Sequence, residues 1–247
     1  TLTLVWTVLE EPLKNFKMSS FGKLFVVGTP IGNLADITYR AVDTLNSVDF
    51  IFAEDTRVSK KLLNHYNIDK KIYSYHDHSK DSEVEKLTNL LESGNDVALI
   101  SDAGTPTVSD PGYRLIRECV KKGVDIVPIP GPSAVTAALS VAGLPSDSFT
   151  FVGFLPQKKG RIKKIEQLSE INNTIILFES PHRLLKTLNQ LFEILGNRQV
   201  AIGRELTKLY EEIIRGNLKD VIQEFSKKSV KGEIVIMIGK NDDRINF

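Results

Sequence analysis

From Lys23 onwards, short runs of β-branched and other apolar residues alternate with helical patterns, and this feature constrains the fold more than any other. Such alternation is typical of βα units, whose successive strands join one mainly parallel sheet. We therefore predict an α/β fold. The first five strands are predicted at Leu24–Val27, Phe50–Ala53, Ile72–Tyr75, Val97–Ile100 and Ile126–Ile129.

Residues that favour the starts and ends of helices stand between these strands. Asp36, Ser82 and Asp110 each precede apolar positions at helical spacing. Glu85 follows Ser82 by three residues, and Pro111 directly follows Asp110. These patterns predict N-caps, a capping box and a proline at the first helical position. The predicted N-caps are Asp36, Ser82 and Asp110, and the predicted helix ends are Gly94 and Gly123.

A Gly-Leu-Pro-Ser-Asp stretch at residues 143–147 interrupts this pattern and predicts a linker. We expect a second α/β domain after it, with a mixed sheet, because Glu212–Arg215 follows the preceding strand after a short turn and should pair with it antiparallel. The predicted organisation is an extension over 1–22 and domains over 23–145 and 146–247. The strands predicted for the second domain are Phe149–Phe154, Thr174–Phe178, Val200–Gly203, Glu212–Arg215 and Glu233–Ile238, and its helices are Ile162–Leu168, His182–Leu195 and Leu218–Phe225.

The composition excludes several classes of protein but does not identify a function. A net charge of +1 gives no overall electrostatic signal for nucleic acid, so only a local basic patch could supply one. The single cysteine, Cys119, excludes a disulfide framework or a cysteine-based metal site. With no apolar run of about 20 residues and no leader pattern, we expect a cytoplasmic protein without membrane contact. The alternation of apolar residues over 2–8 predicts either an edge strand or sequence translated upstream of Met18.

Five loops rich in Gly, Pro, Ser, Thr and Asp follow the five strands of the first half. The carboxyl ends of parallel strands meet at one edge of a sheet, where ligands bind in open α/β folds. None of the loops has the glycine spacing of a dinucleotide fingerprint or a phosphate loop. Each glycine alone is explained by a turn, and Asp55 or Asp102 alone by a helix cap, but their joint position predicts a ligand cleft.

Other polar clusters allow more than one interpretation. His76 and His78 suit an acid–base pair, metal ligands or ordinary loop polarity, and without a third ligand we predict no metal. Glu179 with Arg183, and the segment from Arg204 to Lys208, suit either substrate contacts or surface ion pairs. The cationic run from Lys158 to Lys164 is either a solvated helix face or a patch that neutralises phosphates.

Nine segments occur in order between about Leu24 and Gly239. They are VGTPIGNLADITYRA (27–41), AEDTR (53–57), HDHS (76–79), SDAGTPTVSDPGY (101–113), PIPGPSAVTAALSVAGLPSDSF (128–149), GFLP (153–156), FESPHRLL (178–185), RELTK (204–208) and KGEIVIMIG (231–239). Together they closely resemble the ribosomal RNA small subunit methyltransferase I family. Departures are small: Gly28 stands where the family often has proline, Ser79 where it often has asparagine, and Ser180-Pro181 replaces a common Ser-Thr. Nothing before Lys23 matches.

The resemblance implies two α/β domains of the tetrapyrrole-methylase type, with a ligand cleft between them. It also implies S-adenosylmethionine as methyl donor, 2′-O-methylation of a cytidine in the decoding region of small-subunit ribosomal RNA, and a homodimer. The residues that it implies for donor binding are Ile31, Asp102, Ala103, Gly104, Thr105, Val108, Ser133, Ala134, Phe178 and Glu233. Whether free RNA or the assembled subunit is the substrate stays open.

Methylation of a ribose hydroxyl requires alignment of donor and acceptor and removal of a weakly acidic proton. The candidate bases are Glu54, Asp55, His76, Glu179 and Glu205. The cations expected to hold RNA phosphates are Arg57, Lys158, Lys159, Arg161, Lys163, Arg183 and Arg204. Two other functions are considered: a tetrapyrrole methyltransferase with the same fold, and a non-catalytic RNA-binding assembly factor.

Overall fold

The computed structural model of the chain describes residues 21–76 and 81–242. The alternating segment at residues 2–8 and His78 lie outside these ranges. The strands in the described part are β1 Leu24–Val27, β2 Phe50–Ala53, β3 Lys71–Ser74, β4 Val97–Ile100, β5 Ile126–Ile129, β6 Phe149–Phe154, β7 Thr174–Glu179, β8 Gln199–Arg204, β9 Glu212–Asn217 and β10 Ile234–Ile238. The α-helices are α1 Tyr39–Ser47, α2 Thr56–His65, α3 Asp81–Glu92, α4 Tyr113–Lys122, α5 Ala134–Val141, α6 Arg161–Ser169, α7 Pro181–Leu195 and α8 Leu218–Phe225.

The first five strands form an all-parallel sheet in the order β3-β2-β4-β1-β5. Helices cover both faces, as a parallel sheet requires. Leu45 of α1 and Leu63 of α2 pack in one core cluster, and Leu87 of α3 and Leu115 of α4 pack in another. The predicted strands and the parallel sheet are confirmed, with both ends of β3 one residue earlier than predicted.

The last five strands form a mixed sheet in the order β6-β7-β10-β8-β9. Only β6 and β7 pair in parallel, and β8 pairs antiparallel with β9, as predicted from the short turn between them. The helices α6, α7 and α8 pack together on one face, through residues such as Ile165, Leu188 and Val221. The other face is therefore left for contact with the first half of the chain.

Helix α5 joins the two sheets. Val135 and Ala138 of α5, with Ile31 after β1, pack in one apolar cluster with Ile176 of β7 and Met237 of β10. The predicted linker connects α5 to β6, so the boundary at 145/146 separates the strands of the two sheets. This buried cluster crosses that boundary, and the division into two domains at this point stays a prediction.

Three of the predicted helix starts are wrong. Asp36 lies in a short 3-10 helix, and Thr38 caps α1 by accepting a hydrogen bond from the Ala41 backbone. Ser82 lies inside α3, which begins at Asp81. Helix α4 begins at Tyr113, two residues beyond Pro111, because the chain first makes an irregular loop. The predicted helix end at Gly123 is confirmed, and so is that at Gly94, which follows the last turn of α3.

Phe21 and Gly22 contact the first sheet and its helices. Phe21 packs against the core of the first sheet, and the Gly22 backbone donates a hydrogen bond of 2.7 Å to the Leu91 carbonyl. Both residues lie within the predicted extension over 1–22, whose bounds stay a prediction.

Candidate functional site

The loops after β1, β4 and β5 are held together by backbone contacts at the carboxyl edge of the parallel sheet. Thr29 and Gly104 exchange two backbone hydrogen bonds of 2.8 and 3.1 Å. Gly28 and Gly131 approach so closely that a Cβ atom on Gly131 would lie 2.8 Å from the Gly28 carbonyl oxygen. Substitution by a larger residue would therefore push the loops apart.

These loops form one wall of a cavity of about 360 Å³ between the two sheets. The opposite wall comes from the ends of β6, β7 and β8 and from the start of β10. Apolar side chains line much of it, with a few hydroxyl and carboxyl groups, which is the usual make-up of a small-molecule site. The lining includes Ile31, Val108, Phe154, Phe178, Leu206 and Ile234, and the polar residues Thr105, Ser109, Asp110, Ser133, Ser180 and Glu233.

Nine of the ten residues predicted to bind the donor line this cavity. The exception is Asp102, whose carboxylate accepts a hydrogen bond of 2.9 Å from the Asp55 backbone. Its side chain therefore turns toward the neighbouring strand β2, while Ala103, Gly104 and Thr105 face the cavity. That these residues bind a donor stays a prediction.

The loop from Thr105 to Gly112 has an unusual backbone. Thr107 and Ser109 have φ angles of +73° and +66°, a region that residues with a side chain rarely occupy. Strained residues of this kind persist only where the surroundings hold them, and they cluster at functional sites. The strain thus marks the same loop that lines the cavity.

Asp110 is a cavity residue that sequence reasoning missed. The Asp-Pro pair predicts a helix start, whereas Asp110 lies in the irregular loop before α4 and is one of the residues that line the cavity. Burial raises the pKa of the Asp110 carboxyl; a hydrogen bond with Ser101 opposes this effect, and the nearby charge of Asp102 adds to it. Asp110 lies in the loop between β4 and α4, at the carboxyl edge of the sheet, and this position is a better guide to its role than the cap pattern.

A second, polar depression adjoins the cavity at the ends of β2, β3 and β4. It is lined by Glu54, Asp55, Thr56, Arg57, Ser74, His76 and Asp102. Asp102 and Ala103 are consecutive residues, so a single loop borders both spaces. The structure thus brings three of the five candidate bases together: Glu54, Asp55 and His76.

Asp55 has a structural role within this depression. Its carboxylate caps α2 by accepting a hydrogen bond from the Arg57 backbone, which confirms the helix-cap alternative. It also accepts two hydrogen bonds, of 3.1 and 2.7 Å, from the Arg57 guanidinium. These bonds hold the pKa of Asp55 well below its ordinary value and raise that of Arg57, so Asp55 is a weak base.

Glu179 is held in a buried network at the end of β7. Its carboxylate accepts hydrogen bonds from Arg183, Thr187 and the Ser180 backbone at 2.7, 2.6 and 2.7 Å. Burial acts to raise the pKa of the Glu179 carboxyl, but these bonds outweigh it and lower the pKa. With its oxygens occupied by these donors, the carboxylate is poorly suited to accept a proton from a substrate.

Arg161 belongs to the same network. Only 4% of the residue is exposed, and its guanidinium bonds Glu179, Thr187, Gln190 and the Pro156 carbonyl. This burial contradicts the prediction that Arg161 holds RNA phosphates. Its position in a run of lysines concealed its role, because α6 turns this one side chain toward α7.

Glu205 lies in the turn between β8 and β9. Its carboxylate accepts hydrogen bonds of 2.9 Å from the Glu233 backbone and 3.0 Å from Lys208, and these two bonds, the first above all, outweigh its slight burial and lower its pKa. The same turn reaches the first half of the chain, since Thr207 accepts a hydrogen bond of 3.1 Å from the Asn33 backbone. We conclude that Glu205 orders a turn at one end of the cavity.

The remaining predicted cations differ in their surroundings. Lys158, Lys159 and Lys163 are exposed, and we refer to these three residues as the basic segment. Arg57 is exposed and paired with Asp55. Arg183 and Arg204 are partly exposed and form ion pairs with Glu179 and Glu212 at 2.7 and 2.9 Å. The RNA contacts of all these cations stay predictions.

Within residues 21–76 and 81–242, no three His, Cys, Asp or Glu side chains are grouped so that they could hold a metal ion. The same part of the chain contains no helix that is long and apolar enough to cross a membrane.

Comparison with known structures identifies the fold. A cobalt-precorrin-4 methyltransferase of cobalamin biosynthesis superimposes with a TM-score of 0.66 at 21% identity, over 88% of this chain and 94% of that one. Uroporphyrin III C-methyltransferase from Thermus thermophilus superimposes with a TM-score of 0.63 at 17% identity, over 88% and 97%. These likenesses show the tetrapyrrole-methylase fold and confirm the predicted fold class.

Comparison of sequences is more specific. Residues 23–222 match the model of the Tetrapyrrole (Corrin/Porphyrin) Methylases. The Ribosomal RNA small subunit methyltransferase I of Halalkalibacterium halodurans is 48% identical over 91% of this chain and 78% of its own length. The protein of that name from Thermotoga maritima is 48% identical over 88% and 98%. The chain therefore belongs to the tetrapyrrole methylases and, among them, to the ribosomal RNA small subunit methyltransferase I family.

Proposed function

We propose that this chain methylates small-subunit ribosomal RNA with S-adenosylmethionine as donor, at the ribose 2′-oxygen of a cytidine in the decoding region. The observation that carries the proposal is the agreement between family and site: relatives named for this activity are about half identical to the chain, and the residues expected at the donor line one cavity. The tetrapyrrole methyltransferases share only the fold at this level of identity, so a tetrapyrrole substrate is not favoured.

The cavity suits the proposed donor in size and chemistry. Its volume of about 360 Å³ is within the range of clefts that hold drug-sized ligands. Ile31, Val108 and Phe178 offer apolar surface for a purine ring, and Asp110 and Glu233 are lining residues with carboxyl groups, of which Glu233 also forms an ion pair with Lys208 at 3.2 Å. When bound, the donor supplies an electrophilic methyl group. The protein contributes the alignment of this group with the ribose hydroxyl.

We assign removal of the hydroxyl proton to the polar depression beside the cavity. Three of the five candidate bases, Glu54, Asp55 and His76, line this depression, and the Asp55 carboxylate is held by its bonds to Arg57. We assign the base to Glu54 or His76 because of this position beside the loop that borders the cavity. A positioned base contributes about 10²–10⁴-fold to such reactions. Glu54→Gln and His76→Asn should separate the two: the variant that removes the base loses activity by this factor and keeps its affinity for the donor.

We assign phosphate contacts to the basic segment, which starts four residues after cavity residue Phe154. Arg57 in the polar depression, together with Arg183 and Arg204, would add charge on other sides. Lysines and arginines that neutralise RNA phosphates make binding depend on salt concentration. Phosphate contacts of this kind would hold the target nucleotide unstacked, which is how proteins recognise single-stranded or distorted RNA.

We further propose that the protein acts as a homodimer in the cytoplasm, where its ribosomal substrate is assembled. Tyr39, Leu209 and Tyr210 are 94%, 88% and 69% exposed. A contact between subunits would cover apolar side chains of this kind. Light scattering during gel filtration should give twice the chain mass, and a monomer at micromolar concentration would contradict the proposal.

One assay tests the central proposal. The purified protein is incubated with S-adenosylmethionine and either small ribosomal subunits or free small-subunit RNA, from cells that lack the protein. We expect one 2′-O-methylcytidine to appear, detected by mass spectrometry of RNA fragments, with uroporphyrinogen as the negative control. Methylation of uroporphyrinogen, or donor binding without any methylated RNA, would refute the proposal in favour of a tetrapyrrole enzyme or an assembly factor.

A further inference from the structure

Phe154 is an exposed aromatic residue on the wall of the cavity. It ends the edge strand β6, and 55% of its surface is accessible to solvent. Single exposed apolar side chains are common on protein surfaces, but this ring stands beside a ligand cavity. Its neighbour in the sheet, Phe178, lines the same cavity.

An irregularity in β6 directs Phe154 toward the cavity. Side chains alternate between the two faces of a strand, so Phe151 and Phe154 should point to opposite faces. The pairing of β6 with β7 shifts between Phe151 and Gly153, and as a result Phe151 pairs with Ile176 and Phe154 with Phe178. Since Ile176 and Phe178 belong to the apolar cluster that faces the first sheet, the bulge brings Phe154 to that face.

Gly153 makes this bulge possible. Its φ angle is +71°, and a Cβ atom at this position would lie 2.8 Å from the Ser109 hydroxyl. Ser109 belongs to the strained loop on the opposite wall of the cavity. The bulge is therefore fitted closely against the loop that closes this side.

The ring of Phe154 also packs against a second aromatic ring. Its centroid lies 5.6 Å from that of Phe178 in an edge-to-face arrangement, and Phe178 makes a similar contact of 5.0 Å with Phe151. Edge-to-face packing leaves the broad face of an aromatic ring available to a further ligand. The basic segment follows after the short stretch Leu155–Gln157.

We propose that Phe154 is the stacking platform for the base of the target nucleotide. It would hold the unstacked base at the mouth of the cavity while the basic segment holds the adjacent phosphates. Proteins commonly bind bases of single-stranded RNA by stacking them on aromatic side chains. The inference rests on the proposed function and adds to it a residue that positions the substrate.

Four variants test the role: Phe154→Leu, Phe154→Ala, Phe154→Tyr and, as a matched control, Phe149→Leu. Phe149 lies at the other end of β6, is 41% exposed and is not among the residues that line the cavity. We expect kcat/KM for small subunits to fall roughly 5- to 150-fold in the Leu and Ala variants, the equivalent of about 1–3 kcal/mol of stacking. Phe154→Tyr and Phe149→Leu should stay within about threefold of the wild type, since a tyrosine ring stacks equally well and Phe149 makes no contact with the base.

Donor affinity separates stacking on RNA from packing against the donor. Calorimetric titration with S-adenosylmethionine should give the same Kd for Phe154→Leu and the wild type. A parallel loss of donor affinity and activity, or full activity of Phe154→Leu, would overturn the inference. Inactivity of the wild type toward both subunits and free RNA would instead overturn the proposed function, so the two failures are distinguishable.

A fluorescence measurement distinguishes base stacking on residue 154 from a purely structural role of this residue. Trp6 is the only tryptophan of the chain, so a Trp6→Phe/Phe154→Trp variant reports from position 154 alone. We expect an RNA fragment containing the target nucleotide to quench this signal, and the same fragment without the target base to leave it unchanged. Equal quenching by both fragments would overturn the inference.

Discussion

Replacement of Arg161 by methionine tests the interpretation of the buried network most directly. Its guanidinium donates to Gln190, Pro156, Glu179 and Thr187 at 2.8, 3.1, 3.4 and 2.5 Å. Methionine fills part of the space but supplies no donor, so Glu179 loses one of its two cationic partners. Only Arg183 then compensates the buried carboxylate.

The expected cost follows from the burial of the pair. Removal of one partner of a buried ion pair costs about 3–5 kcal/mol of unfolding free energy. Because Arg183 still lies 2.7 Å from Glu179, we expect the lower end, about 3 kcal/mol. In a chain of this length each kcal/mol lowers Tm by about 2–4 °C, so Tm should fall by about 6–12 °C. Surface substitutions usually change stability by less than about 0.5 kcal/mol, and Lys163→Met on the same helix is the matched control.

Two assays decide the role of Arg161. Urea unfolding of both variants gives the loss of stability, and a double-mutant cycle with Glu179→Gln measures the coupling within the pair. RNA binding at several salt concentrations, well below Tm, gives the number of phosphate contacts. If Arg161→Met is as stable as Lys163→Met and its logarithmic salt slope falls by about 0.7, Arg161 is a phosphate ligand and the network argument is refuted.

Three further predictions concern the network, the loops and the basic segment. The pKa of Glu179 is lowered in the folded state, so this carboxylate stabilises the fold above its ordinary pKa of 4.5, and the stabilisation is lost as the pH falls through the lowered pKa. Urea unfolding between pH 3 and 6 should therefore show a weaker pH dependence of stability for Glu179→Gln than for the wild type, and an unchanged dependence would contradict this. Gly131→Ala should lose about 1–3 kcal/mol of stability and also affinity for the donor, because the new Cβ atom would collide with the Gly28 backbone. Gly216→Ala, whose Cβ atom would contact only Val221 at 3.5 Å, is the control, and equal losses of stability in the two variants would disprove this explanation. Replacement of all three lysines of the basic segment by alanine should reduce the salt slope of RNA binding by about 2 with unchanged donor affinity, and a parallel loss of both would count against the proposed division between RNA and donor sites.

Local sequence patterns predicted the elements well because each pattern reflects a local physical requirement. Buried strands need runs of apolar residues, and a glycine past a helix end tolerates the left-handed backbone found at Gly123. The capping patterns at Asp36 and Asp110 gave wrong predictions, because aspartate side chains form hydrogen bonds with the backbone of irregular loops as readily as with helix ends. The loop containing Asp110 is held by its contacts across the cavity, which no local pattern contains.

The sequence by itself determined the alternation of strands and helices, the edge at which the loops converge, and the family, because these depend on residue order and on motifs that span nearly the whole chain. Only the tertiary structure decided which polar groups are available for chemistry. It buried Arg161 against Glu179, made Asp55 a helix cap, and used a bulge at Gly153 to turn Phe154 toward the cavity. Burial, ion pairing and strand register depend on residues far apart in sequence, so they appear only when the two sheets are packed together.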